Sequence, residues 1–127
     1  MAEINSIKSS NINFGMAIRA TNKGKLYLEK HLDLKGIKQI AELTESEKLN
    51  PVDVFIGTET KYMSNAHIPA EFWTKYDSFV VSVEDRKFRL SGITSLFSHS
   101  KAIMSAIKKG VKYSHELTEK RNGLKNI

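Results

Sequence analysis

From Phe14 the chain alternates: Phe14, Met16, Ile18 and Ala20 are separated by Gly15, Ala17 and Arg19. Thr21-Asn22-Lys23-Gly24-Lys25 then supplies turn residues, and Leu26, Leu28, Leu32 and Leu34 resume the alternation. Period two around a glycine-containing turn predicts a β-hairpin. Leu28 and Leu32 are also four apart, so a helix is the alternative for the second arm; the length of the period-two run favours a strand. Lys30 breaks that run, as a charge guarding a sheet edge would.

After Asp33, Ile37, Ile40, Ala41 and Leu49 recur at helical spacing until Asn50-Pro51 stops the helix. Thr44-Glu45-Ser46-Glu47 has the form of a capping box, which raises two short helices meeting at 43–44. As a helix-turn-helix this is poor, because the second piece is short, acidic and ended by Pro51. Val52, Val54 and Ile56 predict a strand with Phe55 on its other face, closed by Gly57-Thr58-Glu59-Thr60. Residues 62–69 show no clear period, and Pro69 starts a short helical turn carrying Glu71, Phe72 and Trp73. Phe79, Val81 and Val83 alternate with Val80 and Ser82, then Glu84-Asp85-Arg86-Lys87 turns the chain into Phe88 and Leu90, a second hairpin.

From about 94 to about 121, Ile93, Leu96, Phe97, Ile103, Met104, Ile107 and Val111 fall in one arc of a helix whose cap is Ser91 or Thr94. The expected class is α+β, in one domain spanning 1–127. It has a mainly antiparallel sheet of about five strands, in two hairpins plus one, with two main helices on one face. Residues 1–10 and 122–127 read as frayed ends.

Charge sharpens this picture at one place. The chain carries 20 Lys and Arg against 14 Asp and Glu, net +6. Arg86, Lys87, Arg89, Lys101, Lys108, Lys109 and Lys112 stand together with no acid between 86 and 112, so the remainder sums to −1. A positive field confined to one strand-helix segment points to an anionic partner. On the helix, Thr94, Ser98, Lys101, Ser105, Lys108 and Lys112 make one stripe of hydroxyls and ammoniums, with Lys109 to its side. A stripe of small residues, Ser95, Ala102, Ala106 and Gly110, lets another backbone approach, from this chain or a second copy in a homodimer.

The remaining chemistry is sparse. The chain has no Cys, hence no disulfide, thiolate nucleophile or Cys-based zinc site. His31, His67, His99 and His115 form no spaced pair of metal ligands, so no metal and no cofactor is expected. Neither a phosphate-binding glycine loop nor a nucleophile elbow is present. Without a leader pattern or an apolar run of ~20 residues, the expectation is a cytoplasmic protein with no membrane partner. Trp73 and Tyr76, with Phe72 and Lys75, are candidates for stacking on bases, although a lone Trp after Pro69 also suits pinning a loop to the body. Any catalytic group would sit among Glu59, Lys61, His67 and Glu71.

Three function classes follow in order. The first is a non-enzymatic module that binds nucleic acid backbone through 86–112. The second is a regulator or inhibitor docking on an acidic protein surface. The third, least supported, is a small enzyme acting on an anionic substrate.

Overall fold

The computed structural model describes residues 17–90 and 98–127. Among these residues, four strands form one mixed sheet in chain order: β1 (Ile18–Ala20), β2 (Val54–Met63), β3 (Thr74–Val83) and β4 (Arg86–Arg89). β1 pairs parallel with β2, and the other two pairs are antiparallel. Parallel neighbours need a long crossover. Here it contains two helices, α1 (Asn22–His31) and α2 (Leu34–Ser46), where a first hairpin is expected from the sequence.

The correction has a local cause. Thr21 accepts a hydrogen bond from the Gly24 amide at 3.0 Å, a helix N-cap. Gly24, Leu28 and Leu32, spaced by four, are buried on one side, whereas Leu26 and Leu34 are 64% and 69% exposed. A strand would have placed all four leucines together. Gly24 is required by close approach: a Cβ there would collide with the Ile56 carbonyl oxygen of β2. Lys30 is therefore an exposed helical lysine, not an edge guard.

α2 starts after Asp33, as the pattern predicts, and the Asp33 carboxylate caps the Gly36 amide at 2.8 Å. It is one helix through 43–44. The Thr44 hydroxyl donates to the Ile40 carbonyl one turn back instead of capping a second helix. It ends at Ser46, before Asn50-Pro51, and Asn50 then bridges Glu47 and the buried Ser114. β2 runs on to Met63, through residues with no apolar alternation, because β3 pairs with it as far as Met63↔Thr74. The 3₁₀ turn Ala70–Phe72 follows Pro69, and the second hairpin turns at Glu84, whose φ of 55° is left-handed.

α3 (His99–Lys125) crosses the sheet. Its N-cap is Ser98, which accepts from the Lys101 amide, and it continues past Arg121 through residues expected to fray. Ser91, Ile93, Thr94, Ser95, Leu96 and Phe97 lie outside the described residues. Ile103, Ile107 and Val111 are buried as expected; so are Ala102, Ala106 and Gly110, whose small side chains seat the helix on the sheet of its own chain. A Cβ on Gly110 would lie 2.7 Å from Val81 Cγ1. The molecule is a single α+β domain. Its core joins Val54, Ile56, Phe79, Val81 and Val83 to Leu28 of α1, to Leu32 at that helix's C-cap and to α3. Ile40 and Leu43 of α2 pack at its margin. Among the described residues no helix is long and apolar enough to cross a membrane.

Candidate nucleic-acid interface

Strand alternation divides the seven cations of 86–112. Arg86 pairs with Val83 and Phe88 with Val81, which puts both on the core face; Lys87 pairs with Ser82 and Arg89 with Val80, on the opposite face. Arg86 reaches over aromatic rings at the core margin, 4.8 Å from the Tyr113 centroid and 5.1 Å from that of Phe88. That geometry is a cation–π contact. Arg89 grips Glu59 with two hydrogen bonds, 2.5 Å from Nε and 3.2 Å from Nη2, spanning β3 from β4 to β2. These bonds hold the Glu59 carboxyl below its ordinary range, with Lys61 and Lys87 contributing through charge. Two arginines of the basic segment thus serve the fold.

The lysines of α3 differ. Lys101, Lys108, Lys109 and Lys112 are all exposed, and no ion pair ties any of them among the described residues. At ~100° per residue, Lys101, Lys108 and Lys112 lie on the side of α3 opposite its buried Ala106, Ile103 and Gly110. They point away from the sheet. Lys87, on the sheet's far face, is therefore on the other side of the molecule. The basic segment is continuous in sequence and divided in space. Of the hydroxyls on the stripe, Ser98 is engaged as the N-cap and Ser105 is half-buried. Thr94 lies outside the described residues.

The two aromatic candidates also part. The Trp73 indole N–H donates to the carbonyls of Asn65 and Ile68, at 3.2 and 2.9 Å, so its polar edge pins the loop before Pro69. Its ring lines a shallow cavity of about 480 Å³ with Tyr62, Ala70, Glu71 and Lys75. Tyr76 is 46% exposed and pairs with Lys61 on the sheet's far face. Of the residues expected to hold any catalytic group, Glu59 is spent on Arg89, and among the described residues no bond connects Lys61, His67 and Glu71. Among the described residues no cluster of three or more His, Asp or Glu is placed to hold a metal ion.

Two groupings escape sequence reading. Tyr27 donates to or accepts from His99 at 2.8 Å, and the His31 ring lies 4.6 Å from that of His99, joining α1 to α3 across 68 residues of sequence. No local signal links them. The other is Phe55, 42% exposed on the sheet's far face, whose placement opposite Val54 and Ile56 was legible but whose neighbours were not. Comparison with family models, with curated proteins and with solved structures found no match to this chain.

Proposed function

We propose that this protein is a non-enzymatic module that binds nucleic acid by its phosphate backbone, through the outward face of α3. The observation that carries this reading is the set of four exposed lysines, Lys101, Lys108, Lys109 and Lys112, with no ion pair among the described residues. The helical rise sets Lys101 ~10 Å from Lys108 and Lys108 ~6 Å from Lys112 along the axis, so one face meets several phosphates of a strand. Such contacts fix position and carry no base sequence.

Docking on an acidic protein is the second reading. It draws support from the exposed apolar side chains Tyr62, Met63 and Phe72 at the far end of the β2–β3 hairpin, the kind of surface that partners cover. A salt titration separates the two. Nucleic-acid affinity is expected to fall with a log–log slope of about 0.9 per phosphate contact on duplex. A flat salt response, or no binding to duplex or single strand, favours the protein partner.

A further inference from the structure

The sheet face turned away from α1 and α3 carries its own pattern. Register aligns Arg19, Phe55, Ser82 and Lys87 in one row across all four strands. At ~4.8 Å per strand the row is ~14 Å long, with an aromatic ring inside it and a cation at each end. The next row is Gly57, Val80 and Arg89. Val80 is only 5% exposed, with Arg89 reaching across β3 to Glu59 beside it, and the Thr21 side chain lies against Gly57, so Phe55 supplies the exposed ring at this end of the face. Six residues along β2, ~20 Å away, Lys61 and Tyr76 form a further row. The acids on this face, Asp53 and Glu59, are matched by Arg19 at 3.6 Å and Arg89 at 2.5 Å. Lys61 and Lys87 are in excess.

We propose that this face binds single-stranded nucleic acid, with bases stacked on Phe55 and Tyr76 and phosphates beside Lys61 and Lys87. The proposal rests on the nucleic-acid reading for the class of partner, but uses a surface separate from α3. Charge complementarity calls for an anion, and the exposed rings select among anions. A duplex keeps its bases stacked inside and presents only backbone to a flat sheet, whereas a single strand offers base faces to aromatic side chains.

The test is fluorescence anisotropy with a labelled oligothymidylate of about 15 nucleotides, within the roughly 4–16 that a single-strand fold spans, and with a duplex of similar length. Phe55→Ala is expected to weaken oligothymidylate binding by about 5- to 150-fold and to leave duplex binding unchanged, while Phe55→Trp retains both. Lys87→Gln is expected to reduce the single-strand salt slope by about 0.7. A Phe55→Ala protein that stays folded and binds oligothymidylate like the wild type overturns the proposal, as does an unchanged slope for Lys87→Gln. If the wild type binds duplex through α3 yet the sheet variants change nothing, this inference falls and the α3 reading stands. If the wild type binds neither probe, both fall.

Discussion

Gly24 and Gly123 both interrupt helices, yet their surroundings oppose one another. At Gly24 a methyl group meets the backbone of β2, while at Gly123 nothing lies within 4 Å. Gly24→Ala is therefore expected to destabilise by about 1–3 kcal/mol, because the clash outweighs the helix-propensity gain. Gly123→Ala is expected to stabilise by up to about 1 kcal/mol. Urea unfolding of the two variants checks both signs. His31 gives a pH-dependent expectation. Burial pushes its imidazole below the ordinary value, and His99 and Lys30 add to the shift. As pH falls through the unfolded value of about 6.5, the unfolded chain takes up that proton before the folded one. Stability therefore declines on acidification, until His31 protonates in the fold as well. His31→Gln should flatten the pH slope of unfolding free energy below about pH 6.5; an unaltered slope would remove His31 from the account.

Within elements, what the sequence reveals depends on how far the deciding contacts lie. Asp33 as the start of α2, the Glu84 turn and the burial of Ile103, Ile107 and Val111 in α3 are local or strictly periodic, and all three are legible. The α1 segment is not. Its leucines fit periods of two and of four, and the choice is made by Gly24 against Ile56, a contact 32 residues distant. Leu28→Ala is expected to cost about 2–5 kcal/mol and Leu26→Ala less than about 0.5, a contrast that a strand with both leucines on one face would not give. The basic site follows the same rule. Charge density along 86–112 was visible, but strand alternation sends Lys87 to one side of the sheet and Arg86 to the other, while α3 carries its lysines outward. Pairing of Arg89 with Glu59, 30 residues apart, left no local trace either.

Among the described residues, charge is arranged as two separated surfaces around one core: the outer face of α3, and the sheet face with Phe55 that is turned away from α1 and α3. The central claim is the first. It is tested most directly by comparing two triple variants of equal charge, Lys101, Lys108 and Lys112 to Gln, and Lys35, Lys38 and Lys120 to Gln. All six lysines are exposed. Arg121 is unsuitable as a control because its two hydrogen bonds to Glu84 clamp α3 to the β3–β4 turn. Both proteins should fold, since exposed charges individually contribute little to stability. Duplex affinity measured across a salt series is predicted to lose about 2.7 from its log–log slope in the α3 variant and little in the control. Equal slopes and equal affinities for the two folded variants would contradict the assignment of the phosphate contacts to α3.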